Sequence, residues 1–372
     1  MTEADLHQLT SQVLWGAFFL SMALGAIIQR THFCAMGAVS DIVNMGDWNR
    51  MRQWALAIAV GVIGFGALAY AGAIDPGKTL YGTPRWLWLS ALVGGLMFGI
   101  GMVLASGCGS KTLVRIGAGS LKSLVVFLAM AIAAFATLKG ITAVARVATV
   151  DRVAVELGGT ASLGSWLGQS GMLDARAAML WPALVIGGLL AAWALGARDF
   201  RRGGDHLLAG FGIGAVLVAM WWLSGHFGHV AEHPVTLEEV YVGTQSGRAE
   251  ALTFTAPFAH TVDWLILFSD RSKVITVGVA SVFGVVAGAW LMAILSKTFR
   301  WEGFASVEDL ANHLVGGLLM GVGGVTALGC TVGQGLSGIS TLSFNSFVAL
   351  PAILAGAWVG LRYQTWRVER AG

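Results

Sequence analysis

Nine stretches of about 20 apolar residues recur along the chain, and they constrain its fold more than any other feature. In lipid, every backbone N–H and C=O group must be satisfied within the segment, which favours helices. Only 12% of the 372 residues are charged, about half the share in soluble domains. The chain is therefore predicted to be an all-α polytopic membrane protein. The stretches lie near 13–30, 54–74, 86–107, 121–140, 178–197, 207–224, 273–296, 311–329 and 345–362.

Three shorter apolar segments that contain glycine fit neither a span nor a solvent loop. They lie near 33–45, 108–118 and 331–340. Segments of this length are typical of re-entrant pieces, which are tolerated where protein surrounds them. The sequence thus predicts about nine transmembrane helices plus short re-entrant helices, in a single transmembrane domain over residues 1–372.

Basic residues collect in alternate loops, and this pattern sets the expected orientation. Arg30 and Arg50 follow the first stretch, whereas Lys297 and Arg300 follow the seventh. Because cytoplasmic loops carry an excess of Lys and Arg, we expect the N-terminus outside and the C-terminus in the cytoplasm. The first five residues contain no Lys or Arg, so we expect the first helix to be retained rather than cleaved. The net charge of +3 gives no reason to expect a nucleic-acid partner.

Part of the sequence repeats at an offset of 222 residues. Residues 94–101 (GGLMFGIG) match 316–323 (GGLLMGVG), and the same offset pairs Cys108 with Cys330. In the expected topology the two copies run in opposite directions, as in transporters built from inverted repeats. We therefore expect pseudo-inverted halves, about 1–177 and about 178–372, around a central site. Chance similarity between glycine-rich packing helices is the alternative. Cys34 has no evident counterpart, which predicts an asymmetric site.

All three cysteines, Cys34, Cys108 and Cys330, stand where an apolar helix is expected to end, beside Gly or Ala. A single buried cysteine most often acts as a small hydrophobe, but three in the same setting indicate a site. No closely spaced Cys or His pair accompanies these cysteines, so neither a metal nor a cofactor is expected there. Neutral thiols are weak donors with a polarizable surface. Together with the N–H groups of broken helices, they suit a soft, sulfur-bearing anion.

Further candidates for this site are the neighbours of Cys108 and Cys330: Gly107, Gly109, Lys111, Gly329, Thr331 and Gln334. Lys111 has an alternative role as a cytoplasmic positive-inside residue. Thr331 and Gln334 have an alternative role in satisfying freed backbone groups. Three histidines of the outer loop, His226, His229 and His233, could bind a metal, although a solvated loop is the simpler interpretation.

At its cysteine turns the sequence resembles the YeeE/YedE family of sulphur transporters. The resemblance rests on 328–335 (LGCTVGQG), 105–109 (ASGCG), 33–35 (FCA) and 309–317 (DLANHLVGG). It covers most of the membrane core, while the outer segments 141–177 and 225–272 fall outside the pattern.

The resemblance implies an hourglass of nine spans with a constricted centre, located in the bacterial inner membrane. It implies a transporter rather than an enzyme, in which Cys34, Cys108 and Cys330 relay thiosulfate through S–H contacts. A small cytoplasmic sulfur-carrier protein of the TusA type is an implied partner, besides the membrane lipid. A selenium compound or another sulfur species is an alternative substrate. From the residues themselves, a membrane thiol-disulfide oxidoreductase and a small-solute channel also stay open.

Overall fold

Helices make up most of the computed structural model, which describes residues 2–171, 174 and 176–371. The α-helices are α1 Glu3–Thr31, α2 Ala35–Met45, α3 Asn49–Tyr70, α4 Trp88–Leu104, α5 Gly109–Gly117, α6 Leu121–Lys139, α7 Ile141–Ala148, α8 Leu163–Gln169, α9 Ala177–Gly196, α10 Arg198–Arg202, α11 Gly204–Leu207, α12 Ile213–Trp222, α13 Thr255–Ile266, α14 Val277–Leu295, α15 Val307–Thr326 and α16 Phe344–Ala371. The π-helical segments are Leu208–Gly212, Leu223–Phe227 and Gly333–Gly338. Two antiparallel strand pairs join β1 Arg85–Trp86 to β2 Val155–Glu156, and β3 His229–Val230 to β4 Val240–Tyr241.

Each of the nine predicted apolar stretches lies mainly within helix, which confirms an all-α polytopic membrane protein. Among the described residues, eight helical segments are long and apolar enough to cross a membrane: Glu3–Met45, Asn49–Tyr70, Trp88–Gly117, Leu121–Lys139, Ala177–Gly196, Gly204–Phe227, Val277–Leu295 and Phe344–Arg367. The remaining stretch forms α15, whose 20 residues would reach about 30 Å. Because α15 begins with polar residues such as Glu308, Asp309 and Asn312, its composition is less apolar than that of the eight.

The three short glycine-containing segments also form helices. They are α2, α5 and the turns around the π-helix Gly333–Gly338. Each begins only a few residues after a long helix ends. The helix is therefore interrupted at these points and is not merely bent. Each short helix thus places its N-terminus beside the end of a long one.

Helices α4 and α15 pack antiparallel and touch through glycine. A Cβ atom added to Gly94 would lie 2.6 Å from the carbonyl oxygen of Gly323, and one added to Gly101 would lie 2.7 Å from that of Gly316. Only glycine allows two backbones to approach so closely. The same two helices carry the repeated sequence, so the repeated glycines face each other at the centre of the fold.

The outer segments, which fall outside the pattern of the resemblance, contain helices and strands of their own. Segment 141–177 includes α7, α8 and β2, and β2 pairs with β1 just before α4. Segment 225–272 includes α13, which packs against α6, α14 and α15. The apolar residues of α13 are too few for a span. The buried apolar residues of α13 are covered by the neighbouring helices that pack against them.

Candidate functional site

A long helix ends shortly before each cysteine, and the backbone has the same shape at the three helix ends. His32, Ser106 and Leu328 each adopt a left-handed conformation, with φ of 53°, 57° and 60°. Each lies two residues before a cysteine. A left-handed residue commonly terminates a helix, so these residues end α1, α4 and α15. The sequence predicts these helix ends from the ends of the apolar stretches and the Gly or Ala residues beside the cysteines.

Backbone N–H groups of the short helices point at the cysteine sulfurs. The amide N of Gly37 lies 3.5 Å from Cys34 Sγ, and the amide N of Gly333 lies 3.4 Å from Cys330 Sγ. The Cys108 thiol instead lies 3.3 Å from Ser110 Oγ. Cys34 and Cys108 are the residues that cap α2 and α5. Because helix N-termini carry partial positive charge, these positions favour an anion.

The fold gathers the three cysteines, which are far apart in sequence, into one buried row. Cys34 and Cys108 lie side by side, and Cys108 also lies beside the hydroxyl of Thr331, the neighbour of Cys330. Cys108 is therefore in the middle, an order that the sequence could not give. Their exposed fractions are 5%, 1% and 0% for Cys34, Cys108 and Cys330. All three are free thiols and are buried away from solvent.

Thr331 and Gln334 differ in how their polar groups are used. The Gln334 side chain donates to the Ala327 carbonyl at 2.6 Å and accepts from the Ser346 hydroxyl. It therefore ties the end of α15 to α16. The Thr331 hydroxyl is buried, has no nitrogen or oxygen partner among the described residues, and lies beside the Cys108 thiol. Of the two, Thr331 is the one with a free polar atom to offer to a ligand.

The glycines predicted for the site mainly allow close contacts within the cysteine turns. A Cβ on Gly107 would lie 3.2 Å from Lys111 Cγ, and one on Gly329 would lie 3.3 Å from the Gln334 amide N. Gly109 has more room, since its nearest atom would be Met130 Cε at 3.5 Å. The Lys111 side chain lies near Cys34 and Cys108, so the structure brings this predicted residue to the row of thiols.

Residues of the outer loops close the Cys330 end of the row. The Tyr81 hydroxyl donates to the Gly333 carbonyl, and the Ser337 hydroxyl donates to the Leu252 carbonyl at 2.6 Å. The backbone of Phe254 also lies beside Cys330. The sequence reading missed Tyr81, which no motif marks. A signal for the 254 region was present, because 254–256 (FTA) resembles 33–35 (FCA).

The histidines considered as metal ligands have other partners. His229 Nε2 lies 2.6 Å from Glu239 Oε1, and His233 Nδ1 accepts from the amide groups of Val235 and Thr236. No group of three or more His, Cys, Asp or Glu side chains suited to a metal occurs within the described ranges.

Comparison with known proteins places these features in a family. A family model described as "Sulphur transport" matches residues 30–359, which include all three cysteines. The thiosulfate transporter TsuA of Escherichia coli (strain K12) is 26% identical over 343 residues, 90% of this chain and 90% of that protein. TsuA of Spirochaeta thermophila is 26% identical over 359 residues, 93% of this chain and 97% of that protein. The probable transporter YedE of E. coli is 29% identical over 99 residues, 27% of this chain and 23% of that protein. The chain therefore belongs to the sulphur transport family.

Proposed function

We propose that this protein moves thiosulfate into the cell along the row Cys330, Cys108 and Cys34. The observation that carries the proposal is the contact between thiols that three separate helix breaks bring together. Two relatives of matching length are named thiosulfate transporters, which supports the choice of substrate. A transport role, rather than an enzymatic one, fits a chain made largely of candidate membrane spans.

The chemistry of the row suits weak and successive binding. A neutral thiol is a weak S–H donor, and the oxygens and terminal sulfur of thiosulfate are acceptors. Helix N-termini at Cys34 and Cys108 add favourable potential without a fixed full charge. Transport requires sites weak enough to release the ion to the next one. Three adjacent thiols supply such a series.

We propose that the two halves form an inverted repeat, with the row of thiols at their interface. Gly94 meets Gly323 while Gly101 meets Gly316, and 323 and 316 are the repeat counterparts of 101 and 94. Such reciprocal contacts are expected around a two-fold axis. The contacts of the neighbouring glycines agree, because Gly95 meets Ala352 and Gly317 meets Ala129. They support α1 to α6 as one repeat and residues 204–371 as the other, with α9 between them.

In this arrangement Thr255 is the counterpart of Cys34. Both residues stand at the start of a short helix, α13 or α2, and both follow a phenylalanine. The asymmetry expected from the sequence is therefore a hydroxyl in one half where the other half has a thiol. Thr255 thus occupies, in the second half, the position that Cys34 occupies in the first half, although it carries no sulfur.

The orientation, membrane and partner are part of the same proposal. With the N-terminus outside and the C-terminus in the cytoplasm of a bacterial inner membrane, Cys330 faces outward and Cys34 faces inward. A TusA-type carrier would then meet thiosulfate at the Cys34 end. A selenium or other sulfur species remains the alternative substrate. A thiol-disulfide oxidoreductase is the alternative activity, and the contact between Cys34 and Cys108 is the feature that favours it.

The test is thiosulfate uptake by a strain that lacks its own thiosulfate transporters. We expect wild-type protein to support growth on thiosulfate, and Cys34→Ala, Cys108→Ala and Cys330→Ala to abolish it at equal membrane abundance. Thr137→Ala is a matched control, because Thr137 is equally buried in α6 and bonds only to the Ala133 carbonyl and Thr142. Undiminished growth with all three cysteine variants would sink the proposal. A disulfide that turns over with an added thiol oxidant would favour the oxidoreductase instead.

A further inference from the structure

Three basic side chains surround the Cys34 end of the row. Lys111 lies near the thiols of Cys34 and Cys108, and it is close enough to Arg50 and Arg115 for the three positive charges to act on one another. These residues come from different elements, since Arg50 is in α3 and the other two are in α5. The clustering therefore follows from the fold and not from a basic run in the sequence.

Arg50 can lie beside Cys34 because Gly37 has no side chain. A Cβ atom on Gly37 would lie 2.4 Å from Arg50 Nη1, so the guanidinium occupies the space that any other residue would fill. Gly37 is also the residue whose amide N lies 3.5 Å from Cys34 Sγ. The guanidinium thus lies against the first turn of α2, next to the thiol that caps it.

The acids nearby balance only part of this charge. Arg50 Nε lies 3.2 Å from Asp41 Oδ2. Arg115 Nη1 donates to the Ser106 carbonyl at 3.0 Å, which leaves its charge unneutralised. Neither Lys111 nor Arg115 forms a salt bridge with the side chains that the structure describes. Among the salt bridges of the described residues, only Arg50 of the three cations has a carboxylate partner, so Lys111 and Arg115 keep positive charge that suits an anion.

At the Cys330 end, the positions that correspond to the two basic residues of α5 are uncharged. At the offset of 222, the counterparts of Lys111 and Arg115 are Gly333 and Ser337. The Ser337 hydroxyl bonds to the Leu252 carbonyl, and the nearest ionisable neighbours of the Tyr81 hydroxyl are Cys330 and Glu250. Two ends that share a backbone pattern therefore differ at these two positions, which are basic in α5 and uncharged after Cys330.

We propose that Arg50, Lys111 and Arg115 form a binding site for a doubly charged sulfur oxyanion, which holds thiosulfate after it leaves Cys34. The proposal rests on the proposed function. It adds a site that selects an anion by its charge and not by its sulfur atoms. Opposite charges attract more strongly where water is excluded, so these partly buried cations favour an anion between them. The site draws the ion along the row and presents it to the cytoplasmic side.

The simpler explanation is the general excess of basic residues on the cytoplasmic side. Arg30 shows what that explanation predicts. Its side chain is 56% exposed and pairs with Asp205 at 3.0 Å, away from the thiols. Arg30 is therefore the matched control for a cation that serves orientation only.

The test is equilibrium binding of radiolabelled thiosulfate and sulfate to purified protein that carries Cys330→Ala. This change removes the outer thiol and leaves the cations in place. We expect both anions to bind and to compete, with affinity that falls as ionic strength rises. Lys111→Gln and Arg115→Gln should each weaken binding about tenfold, whereas Lys111→Arg and Arg30→Gln should leave it within about threefold of the parent. Lys111→Arg also shows that the parent fold survives substitution at this position.

The outcomes separate this site from the transport proposal. Equal loss in Arg30→Gln, or no loss in Lys111→Gln and Arg115→Gln, would overturn the site. Uptake of thiosulfate by wild-type protein, with neither anion bound by the Cys330→Ala protein, would also overturn the site and leave transport standing. Binding of both anions that depends on Lys111, without any uptake by wild type, would support the site and count against the proposed function.

Discussion

A buried hydroxyl without a partner normally costs about 1 to 3 kcal/mol, and Thr255 carries one. Its Oγ1 makes no hydrogen bond to the described residues, and only 1% of the residue is exposed. The hydroxyl of Thr331, beside Cys108, is in the same condition. Unsatisfied groups are expected where a ligand binds, because the ligand completes the hydrogen bonds. We therefore infer that both hydroxyls face the substrate during transport.

Thr255→Val tests this inference, because valine keeps the shape of threonine and removes the hydroxyl. We expect thermal stability to stay equal or to rise, since an unsatisfied buried group is lost. We expect thiosulfate uptake to fall about tenfold, the effect of roughly one lost hydrogen bond to a charged group. Thr137→Val is the control, with a bonded hydroxyl and no contact with the thiols. Unchanged uptake in Thr255→Val would show that Thr255 only fills space.

At the residue scale, the sequence could predict the cysteine turns because their signals are local. Glycine beside cysteine at the end of an apolar run marks a break in a helix, and the structure has a left-handed residue at each of these breaks. Tyr81 and Arg50 could not be predicted. Their contacts reach Gly333 and Gly37 from other elements, and no spacing in the sequence encodes such a contact. Gln334 was recognised as a candidate, but its role in joining α15 to α16 depends on Ser346.

At the element scale, the pairing of α4 with α15 should be sensitive to an added side chain. Gly101→Ala would place a methyl group 2.7 Å from the Gly316 carbonyl oxygen, so the two backbones would have to separate. We expect a loss of about 1 to 3 kcal/mol, as for other overpacked sites. Thermal unfolding of the purified protein in detergent, followed by tryptophan fluorescence, measures the change.

Gly188→Ala in α9 is the matched control for that substitution. No atom lies within 4 Å of the Cβ position at Gly188, so the methyl group meets nothing. Because alanine favours helix by about 0.5 to 1 kcal/mol over glycine, we expect stability to be kept or raised. A similar loss in both variants would mean that glycine packing between α4 and α15 does not stabilise the fold.

The long spans could be predicted from the sequence, whereas α13 could not. A run of about 20 apolar residues has few structural options in lipid. Helix α13 has 12 residues, among them His260 and Asp263, and its apolar face is recognised only when α6 is beside it. The π-helical segments were also beyond prediction, because one extra residue in a turn leaves the apolar pattern almost unchanged.

At the scale of the whole molecule, Glu250 should make stability depend on pH. This residue of the outer loop is buried, and its carboxylate accepts from the Ser246 amide at 2.7 Å. Burial raises its pKa above the ordinary value of 4.5. The native protein therefore keeps this proton to a higher pH than the unfolded chain does. In the interval from pH 4.5 to the raised pKa, the native state binds more protons, so stability falls as pH rises.

Glu250→Gln should flatten that slope, as measured by unfolding temperature between pH 4.5 and 7.5. Glu239→Gln is the control with the opposite sign. The hydrogen bond from Lys78, aided by His229, lowers the pKa of Glu239. Its contribution is therefore present above the ordinary pKa of 4.5 and is lost as pH falls through the lowered value. A slope above pH 4.5 that persists in Glu250→Gln would assign the pH dependence to another group.

Helix α9 decides how the two proposed halves are oriented. Each half contains four long segments: α1, α3, α4 and α6 in the first, and 204–227, α14, α15 and α16 in the second. A unit with an even number of crossings starts and finishes on the same face of the bilayer, so two such units joined directly would point the same way. One additional crossing changes the parity and turns the second unit over. Helix α9 thus contributes one membrane crossing, which many apolar sequences could provide. Its exposed residues, such as Trp181 and Leu189, should therefore accept replacement provided that Ala183 still meets Gly66 on α3.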